Sequence, residues 1–158
     1  MVRTDEASLH IRASPGQVFR ALSTPGSVIR WLPPEGMTGR IEHWDLRTGG
    51  TYRLVLTYRD ASGAPGKSSP GEDVVEGRFV EVAPDARLVQ EVEFESDDPR
   101  FAGVMRMTWA VTAGGDGSDV VFRAEEVPEG ISAADHIEGL TSSLRNLAAL
   151  LERPGDDG

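Results

Sequence analysis

One amphipathic helix near the end of this chain follows a long run of strands, and that order restricts the fold more than any other feature. Ile137, Leu140, Leu144, Leu147, Ala148 and Leu151 recur at helical spacing behind the capping signature Ser132-Ala133-Ala134-Asp135. Upstream, Tyr52, Leu54, Leu56 and Tyr58 alternate with Arg53, Val55, Thr57 and Arg59, which gives a strand one aromatic-aliphatic face. Segments 74–82 and 88–94 read as two further strands, and 104–111 with 120–124 as a last hairpin turned by Gly114-Gly115-Asp116-Gly117. About six strands facing a single apolar helix stripe can bury their own apolar face only by curving around that helix. The expected class is therefore α+β, with a curved antiparallel sheet wrapped on a long C-terminal helix.

The start of the chain adds two short helices. Residues 7–13 alternate Leu9 and Ile11 with polar neighbours and read as a strand. Ser14-Pro15-Gly16-Gln17 then combines an N-cap hydroxyl, proline at the first helical position and glutamine three residues after the cap. Thr24-Pro25 repeats the start signal, Trp31 and Leu32 close the second helix, and Pro33-Pro34 stops it. Residues 60–72, rich in Gly, Pro and Ser, are expected to form a long mobile loop, and Gly49-Gly50 a turn or bulge. The expected organisation is one domain over residues 1–153 with a short flexible tail over 154–158.

Composition narrows the function classes. No cysteine is present, which removes disulfides and thiolate chemistry, and no apolar run approaches the roughly 20 residues of a membrane span. Without an apolar leader at its start, the chain is expected in the cytoplasm. Its net charge of −10 repels a phosphate backbone, and Arg40, Arg47, Arg53, Arg59 and Arg78 are scattered rather than clustered, so nucleic acid is not an expected partner. His10, His43 and His136 lack the short spacing of a zinc site, so neither a metal nor a cofactor is expected.

Several stretches resemble the START/Bet v 1-like (SRPBCC) superfamily, and within it the bacterial branch similar to the C-terminal domain of activators of the heat-shock protein 90 ATPase. They are Ser14-Pro15-x-x-Val18-Phe19-x-Ala21-Leu22, Trp31 at the end of the second helix, and Asp45-Leu46-Arg47-x-Gly49-Gly50-x-Tyr52-Arg53. The segment from Glu76 to Pro84 and Arg87-Leu88-Val89 follow in order. The resemblance implies a helix-grip fold with a cavity between sheet and helix. Its members include lipid carriers, hormone receptors, polyketide cyclases, aromatases and chaperone regulators, so the fold does not choose the function. Where many relatives carry Gly-Trp in the last helix, this chain has Gly139-Leu140.

The expected cavity wall comprises Tyr52, Leu54, Leu56 and Tyr58 on one strand, Met105, Met107 and Trp109 on another, and Leu140 on the helix. Trp31 stands at an expected gate or plug, in the stretch Trp31 to Met37, and His136 either reaches the cavity mouth or is solvated. His43 and Asp45, two apart on an expected strand, would share a face, and a carboxylate could there orient an imidazole for acid–base work. Arg47 reads as the partner of Asp45. The expected function is binding of a hydrophobic or amphipathic small molecule. Catalysis of the polyketide cyclase/aromatase kind and a chaperone-ATPase-activator-like regulatory role are the alternatives, and a homodimer is compatible with all three.

Overall fold

The computed structural model describes residues 3–33, 36–58, 72–94 and 98–152. The elements run β1 (Asp5–Ile11), α1 (Pro15–Ser23), α2 (Pro25–Trp31), β2 (Met37–Trp44), β3 (Thr51–Tyr58), β4 (Glu72–Ala83), β5 (Arg87–Phe94), a 3₁₀ turn at Pro99–Phe101, β6 (Met105–Gly114), β7 (Gly117–Glu125) and α3 (Ala133–Leu151). All seven strands form one antiparallel sheet in the order β1-β7-β6-β5-β4-β3-β2. β2 through β7 form a meander, while β1 crosses to the far edge and pairs with β7. This is the helix grip expected from the order of elements.

Local chemistry sets the boundaries. Ser14 caps α1 with a full capping box: its hydroxyl accepts from the Gln17 amide, and the Gln17 side chain accepts from the Ser14 amide. Ser132 caps α3 by accepting from the Asp135 amide. Gly49 has φ +86°, and a Cβ on Gly50 would sit 2.0 Å from the Asp45 carbonyl oxygen, so only glycines fit this turn. The turn is stapled to β4 by Gly49 N–H to the Phe79 carbonyl and Phe79 N–H to the Gly50 carbonyl, both 2.8 Å. The glycines that stood out in the sequence thus hold the β2–β3 connection against the sheet. The expected loop over 60–72 lies outside the described residues except at Glu72, which opens β4, and the tail over 154–158 lies outside them entirely.

Two aromatic clusters fill one end of the interior. Trp31, Trp109 and Phe122 meet with ring centroids 5.0–5.7 Å apart, and Trp44, Tyr52 and Phe79 with centroids 5.1–5.3 Å apart. Buried Trp31 donates from its indole to the Ala21 carbonyl at 2.9 Å. α3 then holds the end of α2: Ser143 Oγ donates to the Leu32 carbonyl at 2.6 Å, and Asn146 Nδ2 to the carbonyls of Trp31 and Pro33. Those are carbonyls a helix C-terminus leaves without internal partners. Leu140, Leu144 and Leu147 are buried beneath α3, but Ile137, one turn earlier on the same stripe, is 40% exposed. The expected stripe therefore holds only from Leu140 onward. α3 lies closest to β1 and α2, and β3–β6 stand back from it.

The outer face of the sheet carries paired charges. Arg53 bridges Glu42 on β2 and Glu76 on β4, Arg78 pairs with Glu91 on β5, Arg106 on β6 reaches the same Glu91, and Arg123 on β7 meets Glu6 on β1. Arginines that looked scattered in sequence become a ladder across the strands, and the guanidiniums hold Glu42 and Glu91 below the usual carboxylate range. No described helix is long and apolar enough to cross a membrane.

Candidate ligand site

The concave face of the sheet can be read off the strand register. Tyr52, Leu54 and Leu56 lie opposite Gly77, Val75 and Asp73. These in turn share a face with Val92, Phe94, Leu88 and Gln90 of β5, and with Met105, Met107 and Trp109 of β6. Tyr52, Leu54, Leu56, Met105, Trp109 and, from α3, Leu140 are buried in this interior. Tyr58, Phe94 and Met107 face it as well, yet are only half-buried. Tyr58 and Phe94 lie beyond Leu56 and Val92 on their strands, whereas Met107 lies between buried Met105 and buried Trp109, in the row of Gln90 and Phe79. The face is thus fully buried around Trp31, Trp109 and Phe122 and less so at these three side chains.

Gln90 is a glutamine in the apolar register of Leu88, Val92 and Phe94. Its cross-strand neighbours are fully buried Phe79 and half-buried Met107. The side chain is 0% exposed, and its Oε1 accepts from the Tyr52 hydroxyl at 2.6 Å. Its Nε2 has no hydrogen-bond partner among the described residues. Tyr52 reaches Gln90 by crossing β4 over Gly77, where a Cβ would stand 2.1 Å from the ring. Burial pushes the Tyr52 phenol well above its ordinary pKa, so it stays protonated and serves as a fixed donor rather than an acid–base group. The sequence did carry a signal for this pair: one polar residue at an apolar position of an alternating strand.

A second polar group closes the β1 edge. Asp5 is 2% exposed and faces the interior; it receives the Arg3 guanidinium at 3.0 Å and His136 Nδ1 at 2.7 Å. Burial opposes ionisation of Asp5, but the hydrogen bonds from Arg3 and His136 outweigh it and hold the carboxyl below the usual range. His136 is thus neither solvated nor free at a cavity mouth; it ties the first turn of α3 to β1. Trp31 is packed as a plug, while Pro34 and Glu35 of the expected gate lie outside the described residues.

His43 and Asp45 do not form the acid–base pair that their spacing allowed. The β2 register shifts between Ile41 and His43, which turns His43 to the outer face opposite Arg53, where it bonds the Thr51 hydroxyl at 2.9 Å. Asp45 lies beyond the end of β2 and binds Arg47 at 2.8 Å. The three histidines stand apart, since His10 lies between Asp116 and Asp119 at the β7 edge. Two open depressions of ≈350 and ≈360 Å³ lie on the outer face, around Arg78 and Glu91 and around Arg106 and Glu125, and neither borders α3.

Residues 12–152 match the family described as Activator of Hsp90 ATPase homolog 1-like protein. The chain belongs to that family. A solved protein from Chromobacterium violaceum is 29% identical with a TM-score of 0.82, over 94% of this chain and 96% of that one. The AHSA1 protein from Silicibacter pomeroyi is 21% identical with a TM-score of 0.77, over 95% of this chain and 98% of that one. DynU16, from the dynemicin biosynthetic locus, is 19% identical with a TM-score of 0.68, over 95% of this chain and 47% of that one. No curated protein matches the chain. The last two likenesses carry the fold alone. Family membership agrees with the resemblance drawn from the Asp45–Arg53 stretch, which here builds the stapled turn rather than a reactive group.

Proposed function

We propose that this family member binds a hydrophobic or amphipathic small molecule between its sheet and α3, beside Tyr58, Phe94 and Met107. The observation that carries this reading is the half-buried state of Tyr58, Phe94 and Met107 on a face where Leu54, Leu56, Val92, Met105 and Trp109 are buried. An apolar ligand there would gain about 25 cal/mol for each Å² it removes from water, and a methionine wall adapts to ligand shape. Binding is favoured over cyclase-like catalysis because two groups suited to acid–base work are already engaged: the Tyr52 phenol is a fixed donor to Gln90, and His136 is held by Asp5. Titration with Nile red tests the reading, with saturable micromolar binding as the expected result. Met107→Trp, which enlarges a half-buried side chain on this face, should weaken that binding about tenfold, equivalent to about 1.4 kcal/mol, without lowering the melting temperature. Absence of saturable binding by the wild-type protein, or equal affinity in the folded Met107→Trp variant, would refute the proposal.

A further inference from the structure

The ligand's chemistry follows from Gln90. A fully buried amide donor without a partner is rare in a folded protein, because leaving it unmade costs more than a hydrogen bond there contributes. Here one end of the amide is satisfied by Tyr52 and the other is not. A phenol donates better than it accepts, so the Tyr52 hydroxyl takes Oε1 and turns the NH₂ away from itself. The next residue across the strands is Met107, a half-buried and adaptable side chain, so the way from solvent to this donor runs past it.

The surrounding charges restrict the ligand further. Among the described strand residues, Asp5 and Asp73 are the acids directed to the interior, whereas Arg40, Arg53, Arg78, Arg106 and Arg123 lie on the outer face. Arg3 is committed to Asp5 and to the Ile131 carbonyl. A ligand carboxylate would therefore enter beside acids with no arginine of the described strands turned toward it, whereas a neutral carbonyl would need only the one donor. We infer that the interior takes an uncharged, largely apolar molecule bearing one hydrogen-bond acceptor of the ketone, ester or quinone kind, and that Gln90 Nε2 donates to that acceptor. The inference rests on the ligand-binding reading above and adds the polar contact that would give it selectivity.

Three matched probes test it: 2-acetonaphthone, 2-ethylnaphthalene and 2-naphthoate, titrated calorimetrically into the full chain. The ketone should bind about tenfold more tightly than the hydrocarbon, and the carboxylate most weakly. In Gln90→Met the ketone's advantage should shrink to about twofold or less while the hydrocarbon's affinity holds. A second measurement needs no variant. Gln17 and Gln90 are the chain's two glutamines, so their side-chain amide resonances are readily assigned. The ketone should shift the Gln90 pair and leave Gln17, which serves the α1 cap, unmoved. Equal binding of ketone and hydrocarbon, a Gln90 resonance unmoved by saturating ketone, or tightest binding of the carboxylate would overturn the inference and leave the ligand-binding reading standing. Failure of all three probes to bind would remove both.

Discussion

Replacing Gly77 with alanine strikes at a place where an absent side chain lets an interior ring pass. The new Cβ would lie 2.1 Å from Tyr52 Cε2, 2.2 Å from Cζ and 2.7 Å from the hydroxyl oxygen, against about 3.5–4.0 Å for carbon atoms in contact. The ring has nowhere to go, since it is packed between Trp44 at 5.3 Å and Phe79 at 5.2 Å. Forcing a methyl into a filled core typically costs about 1–3 kcal/mol. Displacing the ring would also break the Tyr52–Gln90 hydrogen bond, and stripping a buried amide of its remaining partner costs about 1–3 kcal/mol more. A gain of about 0.4–1 kcal/mol from the smaller entropy of the unfolded chain opposes both. The expected net loss is therefore about 1–5 kcal/mol, measured by urea unfolding followed by far-UV circular dichroism. Near-UV circular dichroism should change too, because Tyr52 lies within an aromatic cluster. In a Tyr52→Ala background the same Gly77→Ala change should cost little, which gives the cycle a coupling of about 1 kcal/mol or more. A loss under about 0.5 kcal/mol in the wild-type background, or equal losses in both backgrounds, would refute the argument that Gly77 exists to let Tyr52 pass.

Leu144→Ala removes a leucine that is 1% exposed beneath α3 and should cost about 2–5 kcal/mol in denaturant unfolding. The Asp5 carboxyl titrates below its unfolded value of 3.8, so its contribution to stability is fully present above that pH and is lost as pH falls through the folded value. Asp5→Asn should accordingly lose about 1–3 kcal/mol at pH 7 and show a smaller further loss than wild type between pH 4 and pH 2 in urea unfolding series. His10, hydrogen-bonded by Asp119 and Asp116, titrates above 6.5; its small contribution is present below pH 6.5 and disappears as pH rises through the folded value. An NMR titration should find that midpoint raised, and Asp119→Asn should bring it back toward 6.5.

Where a local rule governed the structure, the sequence was readable. Both short helices announced themselves through Ser14-Pro15 and Thr24-Pro25, and β3 through strict alternation from Tyr52 to Tyr58, because caps and strand faces depend on near neighbours. The pairing of Asp45 with Arg47, two residues apart, was legible for the same reason. His43 was placed on the wrong face because the β2 bulge is a property of two strands together, and nothing at Ile41 to His43 marks it. The bond between His136 and Asp5 joins residues 131 apart, so no window on the chain could contain it. Ile137 belongs to the helix stripe, and its exposure follows from how far the sheet stands from α3, a distance that periodicity does not encode. Gln90 is the reverse case: a polar residue at an apolar position between Leu88 and Val92, legible from alternation yet absent from the expected site.

The crossing of β1 to the far edge of the sheet also sets the order in which the chain can be completed. From β2 to β7 each strand pairs with the next, so these strands can pair as soon as they are made. β1 has no such neighbour. Its ladder is with β7, and the contacts around it join residues far apart: Ser118 with Ala13 across 105 positions and Arg12 with Glu152 across 140. Loops of that length slow folding, because their closure entropy must be met before the contacts form. On a ribosome, β1 would wait unpaired while the meander assembled, exposing its edge to other chains. Folding would end when α3 emerged and the two ends of the described chain met.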